Sequence, residues 1–498
     1  MFCLNDLAKL CPSHRQSDVH HGGPALASSL APPYDGGTKL GYNLLANDNR
    51  RRLVLSRKFL SPACLSVLGL VWLSYLAGAV VMFFQLPTSG FVARALIGAS
   101  AWHEGGRAPP PPPVTGAGPV ARASIDRPAE TYDGFTLYAC LGSKQTSTQA
   151  MLIDMRGEVV HRWAVPFSRV WPSPTHLNTR VPDLLFCFYA CHLYPNGDLL
   201  VVFHGRHSPI GCGLAKLDKD SNVLWSYAGP THHDVEVADD GTIYAIEQKS
   251  VYDLPKGLER IATPCDVDDL VVLSPEGKPL REPISVLEAF LDTPYADLLE
   301  SVQLPVRRHT PPFGASIPKI EYQFMVGDPL HTNSVRVLGR DVAAQFPLFE
   351  AGQLLLSIRD LAVLAVIDPA SGKVVWAARG PWYAQHDAHF LPNGHLLLFD
   401  NLGAANGSRV LEYDPQTQAF PWSYAGPPAD PFYSSERGMC QRLPNGNTLI
   451  VNSEGFEIFE VTREKNVVWS TRVSDCITTA RRYGSREVPF LSDRPPRP

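Results

Sequence analysis

The stretch LPNGHLLLFDN at Leu391–Asn401, followed by EYDPQTQAFPWSYAG at Glu412–Gly426, predicts the fold of this 498-residue chain. The first is a turn followed by an apolar strand, and the second is a strand, a turn and a strand ending near Trp. Asn-Gly and Asp-Gly pairs supply the positive φ that tight hairpins need. Further copies of the first stretch are YPNGDLLVVFH, DDGTIYAIEQ, AGQLLLSIRD and LPNGNTLIVN, beginning at Tyr194, Asp239, Ala351 and Leu443.

The second stretch also recurs, and the two together define a repeat. Its copies are LIDMRGEVVHRW, LDKDSNVLWSYAG, VIDPASGKVVWAARG, VTREKNVVWS and a weaker VVLSPEGKPL, beginning at Leu152, Leu217, Val366, Val461 and Val271. Two hairpins make a four-stranded blade, and a period of about 45 residues is typical of a β-propeller. Six copies therefore predict an all-β, six-bladed β-propeller over residues 130–485. A β-sandwich is the alternative, but it has no reason to repeat a Trp-ended hairpin.

One repeat is stretched by residues 281–326, which contain the helix-like ISVLEAFLDTPYADLLESV. We expect this segment to leave the disc as an excursion.

An apolar segment precedes the repeats. Residues 59–93 carry no charged side chain, and residues 59–86 are predicted to form a single transmembrane helix, long enough to cross about 30 Å of hydrocarbon. Five basic residues lie between Arg50 and Lys58, so we expect a cytoplasmic N-terminus and a periplasmic or otherwise extracytoplasmic propeller. A cleaved signal peptide is the alternative; the 58 preceding residues make its first region too long, unless translation starts later.

The remaining segments are low in apolar periodicity. Residues 1–58 are predicted to be a disordered cytoplasmic segment, residues 87–129 a Pro/Gly-rich linker with five consecutive prolines, and residues 486–498 a disordered tail. The net charge of −5 argues against a nucleic-acid partner. Seven cysteines follow the apolar segment, an odd number that predicts at least one free thiol and leaves one or two disulfides open.

Polar residues fall at matched positions when the repeats are aligned on their turns. Six residues before the turn lie His233, His386 and, in the last repeat, Gly438; seven residues after the turn glycine lie His204, Gln248, Arg359, Asn401 and Ser453. His331 and Asn333 occupy the equivalent strand start in the stretched repeat. Paired antiparallel strands begin and end at one edge, so these side chains are expected to meet at one face of the disc, near the central channel.

This set of side chains predicts a pocket for a tetrahedral anion. Each histidine taken alone could be an ordinary strand-end residue, and a histidine cluster could also bind a metal ion such as zinc. Arg359 beside the cluster disfavours a cation and favours an oxyanion, with imidazoles available for nucleophilic attack or proton transfer.

The motifs carrying these residues resemble the aryl-sulfate sulfotransferases, which use no nucleotide sulfate donor. The similar motifs are HHD, HTN, SIRD, QHDA and FDN, at His232, His331, Ser357, Gln385 and Phe399, within residues 132–472. The resemblance implies transfer of a sulfuryl group from an aryl sulfate donor to a phenolic acceptor, by ping-pong kinetics through a sulfohistidine.

The resemblance also assigns roles to the matched residues. His386 would be the nucleophile, while His331, Asn333 and Arg359 would hold the sulfuryl oxygens. Either His232 or His233 would assist as sulfate ligand or acid/base, and the repeat alignment favours His233. Asn401 is a further expected substrate-binding residue, and Arg206, His207 and Arg437 are candidates for the acceptor site. His389 is expected to be structural.

No cofactor or metal is implied by the resemblance. The main alternative function is a non-catalytic propeller that binds an anionic ligand or a protein partner. A quinone-dependent dehydrogenase is a third possibility, but such propellers typically have more blades and a carboxylate calcium site.

Overall fold

The computed structural model describes residues 123–142, 148–177, 183–205, 211–259, 261, 263–302, 327–404, 407–428 and 431–492. These residues form six antiparallel sheets, and the predicted all-β, six-bladed propeller is confirmed. The predicted transmembrane helix at 59–86, the segment 1–58 and most of the linker lie outside the described residues. No helix within the described ranges has the length and apolar character needed to span a membrane.

Each sheet is one blade, whose innermost strand borders the central channel. From the channel outward, blade 1 is β25 (Ile477–Tyr483), β2 (Phe135–Cys140), β3 (Gln149–Ile153) and β4 (Val159–Ala164). Blade 2 is β5 (Phe186–Leu193), β6 (Leu199–Gly205), β7 (Gly211–Leu217) and β8 (Val223–Tyr227). Blade 3 is β9 (Thr231–Val237), β10 (Ile243–Val251), β11 (Cys265–Leu273) and β12 (Ile284–Ser285).

The other three blades follow the same order. Blade 4 is β13 (Thr332–Val337), β14 (Leu354–Ile358), β15 (Val363–Asp368) and β16 (Lys373–Arg379). Blade 5 is β17 (His386–Phe390), β18 (Leu396–Ala404), β19 (Gly407–Tyr413) and β20 (Trp422–Tyr424). Blade 6 is β21 (Met439–Arg442), β22 (Thr448–Asn452), β23 (Glu457–Val461), β24 (Val467–Arg472) and β1 (Ala123–Ile125).

Strands from the two ends of the propeller close the ring twice. The C-terminal strand β25 is the inner strand of blade 1, where Phe135 of β2 is opposite Tyr483. The first strand, β1, adds to the outer edge of blade 6, with Ala123 opposite Thr471. Residues 123–125, which the sequence assigned to the linker, are therefore paired in the sheet.

The repeated tryptophan joins neighbouring blades. Trp163 of blade 1 donates its indole N–H to the carbonyl of Gly197 in the β5–β6 turn of blade 2, at 2.9 Å. Trp469 of blade 6 donates to the carbonyl of Met155 in blade 1, at 2.8 Å. Both indoles are fully buried, so each contributes apolar burial as well as a satisfied donor. Gly197 itself has φ +88°, as the turn requires.

Short helices lie outside the blades. The α-helix α1 covers Phe167–Val170, and 3₁₀ helices cover Asp183–Leu185, Glu288–Phe290, Ala296–Ser301, Ala343–Gln345, Arg359–Leu361 and Pro489–Leu491. The helix-like part of the stretched repeat is therefore two separate 3₁₀ turns within the described residues. Pro294 lies between them and lacks the N–H that a continuous helix would need there. Residues 303–326 of this repeat lie outside the described residues.

Candidate active site

The starts of the inner strands are bulged, and the bulges lie at the predicted site. The register shifts between Phe188 and Ala190, between His232 and Val235, between Thr332 and Ser334, and between His386 and His389. A bulge leaves residues out of the pairing and re-aims their side chains. His233, His331 and Asp387 have φ values of 55°, 51° and 52°, a left-handed conformation that costs non-glycine residues about 1 kcal/mol or more.

His386 begins β17 and has one ring nitrogen fixed by two acceptors. Its Nδ1 lies 2.8 Å from Oδ1 of Asn401 and 2.9 Å from the carbonyl oxygen of Ala384. The amide of Asn401 is itself oriented, because its Nδ2 donates to the carbonyls of Ser434 and Arg437 at 2.7 and 2.5 Å. Two acceptors place the proton on Nδ1. In the described part of the chain, the buried Nε2 has no hydrogen-bond partner and carries the lone pair.

His331 is paired with a carboxylate. Its Nδ1 lies 2.6 Å from Oδ2 of Asp328, whose Oδ1 accepts the backbone N–H of His331 at 3.0 Å. The amide of Gln248 donates to the same carboxylate at 3.3 Å. The role of Asp328 had no signal in the sequence beyond its spacing of three residues from His331.

His232 and His233 lie in two different environments. Their Nδ1 atoms are 2.5 Å apart, and the ring of His233 lies 4.8 Å from that of His331. His232 is 1% exposed, and its Nε2 lies 3.3 Å from Oδ1 of the buried Asp268, an ion-pair distance without hydrogen-bond alignment. His233 therefore belongs to the cluster and His232 lies behind it, in the order that the repeat alignment favoured.

Arg359 and Asn333 complete the side of the cluster formed by blade 4. The Nε–H of Arg359 donates to Asp360 at 2.7 Å, and its backbone N–H donates to the carbonyl of His331 at 3.3 Å. Nδ2 of Asn333 donates to the carbonyl of Gln385 at 2.8 Å, so Asn333 also anchors the start of β17.

Burial keeps the clustered histidines neutral. Desolvation, followed by the field of Arg359, lowers the pKa of both His331 and His386 to about 3. Desolvation and the neighbouring histidines lower the pKa of His233 well below its ordinary value. The cluster is therefore neutral imidazole at pH 7, next to a permanently charged guanidinium.

Blade 2 contributes Tyr189, which the sequence analysis did not assign to the site, and blade 6 contributes Arg437, a candidate for the acceptor site. Tyr189 lies between two histidines, with ring centroids 4.6 Å from His204 and 5.3 Å from His233. The guanidinium of Arg437 lies 5.7 Å from the centre of the Tyr189 ring. A signal for Tyr189 was present, since it lies six residues before Pro195, the position that His386 and His233 hold in their repeats.

A network of charged side chains lies on the inner strands directly after the clustered histidines. Arg336 contacts Asp234, donates to Asp387 at 2.8 Å and donates Nε–H to His389 at 3.1 Å. Although burial opposes ionisation, His389, Arg481 and Arg336 hold the pKa of Asp387 well below its usual range. Burial raises the pKa of Glu236, next to Arg336, to about 7. His389 thus belongs to this network, in contact with Arg336 and Asp387.

The structure therefore brings together His233, His331, Arg359, His386, Asn333 and Asn401 at the channel mouth, with His232 behind. Arg206 and His207 lie outside the described residues. The seven cysteines found among the described residues are all free. Within the same residues, no group of three or more His, Cys, Asp and Glu side chains is arranged to hold a metal ion.

Comparison with known proteins adds a family match. A family model with the description arylsulfotransferase (ASST) matches residues 191–474, a range that contains His233, His331, Arg359 and His386. The comparison with curated proteins gave no match.

Several solved structures are similar at low identity. A protein of unknown function from Bacteroides caccae is 12% identical, with 70% of this chain and 98% of that chain covered and a TM-score of 0.43. A streptogramin B lyase is 10% identical, with coverages of 71% and 88% and a TM-score of 0.37. The periplasmic gluconolactonase of Pseudomonas aeruginosa is 12% identical, with coverages of 71% and 99% and a TM-score of 0.37.

Proposed function

The chain belongs to the arylsulfotransferase family, and we propose that it transfers a sulfuryl group from an aryl sulfate to a phenolic acceptor through a sulfated His386. The observation that carries this proposal is the state of the His386 ring. Its Nδ1 proton is held by Asn401 and Ala384, and its Nε2 lone pair is unpartnered in the described part of the chain. A neutral imidazole with a free lone pair is the form that attacks sulfur.

The cluster around His386 suits the charge of the transferred group. By analogy with phosphoryl transfer, the transition state is loose, with negative charge on three equatorial oxygens. Arg359 supplies a permanent positive charge, and the imidazoles of His233 and His331 and the amide of Asn333 supply polar groups from neighbouring strands. A preorganised donor such as the Arg359 guanidinium is worth about 3 kcal/mol in other enzymes.

The reaction has two steps. Nε2 of His386 attacks sulfur, the bond from sulfur to the aryl oxygen breaks, and the phenolate leaves with the electron pair. In the second step an acceptor phenol attacks the sulfohistidine, and the electron pair of the N–S bond returns to Nε2. Nε2 of His233 takes the proton of the acceptor phenol and releases it to solvent, where the phenolate that left in the first step takes up a proton.

We also propose that residues 59–86 anchor the propeller to a membrane, with the propeller outside the cytoplasm. The support is the apolar length and the preceding basic cluster. Retention of the full-length chain in the membrane pellet after alkaline extraction, and protease access to the propeller only from outside, are the expected results. Release at alkaline pH, or protection of the propeller, would contradict the anchor or its orientation.

The reaction is tested by intact mass of the full-length chain after mixing with 4-nitrophenyl sulfate and no acceptor. We expect a burst of nitrophenolate, a single added SO₃ that peptide mapping places on His386, and its loss when phenol is added. His386→Asn should abolish the adduct. His395→Asn is the matched control, because His395 lies at the far end of the same hairpin, paired with Glu412.

The other outcomes separate the alternatives. An adduct on His233 or His331 would keep the reaction and overturn the nucleophile. Absence of both adduct and nitrophenolate release with several aryl sulfates would favour the non-catalytic binding propeller.

A further inference from the structure

The nucleophile and the departing oxygen must lie on opposite sides of the sulfur atom. Asn401 is on β18, the second strand of blade 5, so it approaches His386 from outside the inner strand. Nε2, on the other edge of the ring, therefore faces the channel. In a six-bladed ring blade 5 is opposite blade 2. An in-line displacement from His386 thus directs the aryl oxygen toward the side chains of blade 2.

Tyr189 and His204 are the blade 2 residues at this level of the channel. Tyr189 is 8% exposed, and its ring is stacked on His204 with an interplanar angle of 30°. His233 meets the same tyrosine ring edge-on. The phenol ring of Tyr189 is therefore fixed between two histidines, with little freedom to move during the reaction.

Arg437 reaches this phenol from blade 6. It lies two residues before the start of β21, and its carbonyl is one of the two acceptors that orient Asn401 behind His386. Its side chain crosses toward blades 1 and 2, where Nη1 lies 3.8 Å from Sγ of Cys476. Its guanidinium carbon lies 5.7 Å from the centre of the Tyr189 ring. Nε of Arg437 is buried and, among the described residues, has no hydrogen-bond partner.

Arg437 is thus a second cation at the channel mouth, distinct from Arg359. Arg359 helps to lower the pKa of His331 and His386. Arg437 instead interacts electrostatically with Tyr189 and Cys476, which raise its pKa. As the S–O bond breaks, the aryl oxygen gains negative charge on one side of that bond, while the sulfuryl oxygens on the other side already carry the charge of the sulfate ester. Two separate cations match this distribution of charge.

We propose that Arg437 and the hydroxyl of Tyr189 form the subsite for the aryl oxygen, which binds the departing phenolate in the first step and the acceptor oxygen in the second. This inference rests on the proposed function for its chemistry. Arg437 donates N–H groups to the oxygen and neutralises its charge. Tyr189 donates its O–H to the oxygen and keeps its proton, because burial raises the pKa of the Tyr189 phenol. The electron pair of the S–O bond stays on the phenolate.

The first arm of the test is binding of 4-nitrophenol alone, which needs no turnover. The full-length chain is titrated into 4-nitrophenol across a pH series, and absorbance reports the ionised form. We expect bound nitrophenol to ionise at a lower pH than free nitrophenol. Arg437→Gln should weaken nitrophenolate binding about tenfold or more and abolish the change in ionisation. Arg472→Gln, an exposed arginine on β24, should change neither.

The second arm is the dependence of kcat/KM on the leaving group. Phenyl sulfates whose phenols differ in acidity are compared in the wild type, Arg437→Lys and Tyr189→Phe. Loss of stabilisation at the aryl oxygen slows poor leaving groups more than good ones. We therefore expect a steeper dependence in both variants, and both retain the size of the side chain if Arg437→Gln fails to fold.

Each outcome decides the inference. Equal slowing of all donors by the variants, or nitrophenolate binding that is absent or independent of Arg437, would overturn the subsite even if the enzyme is active. Arg437-dependent nitrophenolate binding without any aryl sulfate turnover would support the phenolate site and overturn the proposed function instead.

Discussion

Arg336 and Asp387 form a buried ion pair one residue away from the proposed nucleophile, with Nη2 of Arg336 2.8 Å from Oδ1 of Asp387. Asp387 follows His386, and the other terminal nitrogen of the same guanidinium contacts Asp234, which follows His233. One side chain therefore connects the bulges that carry two of the clustered histidines. Both bulges contain a non-glycine residue with positive φ, and fixed contacts are needed to hold such a conformation.

Arg336→Lys tests this connection. Lysine keeps the charge but cannot donate to two carboxylates in a fixed plane, so the spacing of His233 and His386 should relax. We expect kcat for sulfuryl transfer to fall about 10–100-fold, as for other residues that orient a reacting group, with a much smaller change in KM. Steady-state kinetics with an aryl sulfate and phenol give both values.

Arg442→Lys is the matched control for that variant. Arg442 is similarly buried and pairs at 2.8 Å with the fully buried Glu412, at the far end of β21. Both variants should lose about 1–3 kcal/mol of unfolding free energy. Only Arg336→Lys should change kcat; an equal loss in both would indicate that Arg336 acts through stability alone.

The low pKa of His386 predicts the acid side of the pH–rate profile. Because its pKa is lowered to about 3, the ring stays neutral and nucleophilic as the pH falls below 6.5, where an ordinary histidine would become protonated. We expect kcat/KM for an aryl sulfate to remain level down to about pH 5. A decline centred at pH 6.5 or higher would contradict this assignment.

Asn401→Asp should shift the acid-side decline of kcat/KM to a higher pH. A carboxylate 2.8 Å from Nδ1 favours the imidazolium and raises the pKa of His386. The kcat/KM profile of the variant should fall at a higher pH than that of the wild type. A variant profile that coincides with the wild type would show that the protonation of another group limits the reaction.

The propeller and most of the candidate site could be predicted from the sequence, because both depend on the spacing within a repeat. A tryptophan marks the outer strand in five of the six copies, and Trp163 and Trp469 reach the neighbouring blade. Positions six before and seven after a turn meet because paired antiparallel strands share an edge. The same spacing also indicates Tyr189, which holds in its repeat the position of His386 and His233.

Other residues of the site had no such signal. Asp268 lies on β11 and contacts His232 on β9, two strands away in the same blade. Arg336 and His389 come together across two blades, and the bulge after His386 breaks the simple alternation of the strand. Contacts between blades depend on the rotation from one sheet to the next, which repeat spacing does not encode.

Trp469→Phe tests the closure of the ring. The change removes the hydrogen bond to Met155 and leaves space beside the guanidinium of Arg482, which lies 4.3 Å from the indole ring. We expect a loss of about 2–4 kcal/mol in unfolding free energy by urea denaturation. Trp225→Phe should cost less, because Trp225 is only half-buried although its N–H donates to Pro275 at 3.1 Å. Equal losses of unfolding free energy in the two variants would contradict a larger contribution from the Trp469 contact that closes the ring.

Asp268→Asn tests the order of protons behind the cluster. In the wild type, Asp268 faces Nε2 of His232, so Nε2 carries the proton and Nδ1 accepts from Nδ1–H of His233. Nε2 of His233 is then a free base toward the channel. An asparagine can present its N–H₂ to His232 instead, which reverses both rings and puts the proton on Nε2 of His233.

Transfer of the sulfuryl group from His386 to the acceptor should be slowed most by this change of tautomer, because His233 could no longer take the proton of the acceptor phenol. We expect discharge of the sulfohistidine to slow about 10²–10⁴-fold, while its formation changes much less. Rapid-mixing measurements of burst and discharge separate the two rates, and more acidic phenols should recover part of the loss. Asp269→Asn is the control: this neighbouring carboxylate is also buried but pairs with Lys249, away from the histidines. Equal slowing of both steps by Asp268→Asn would instead assign Asp268 to the support of Thr332, whose N–H it accepts at 2.6 Å.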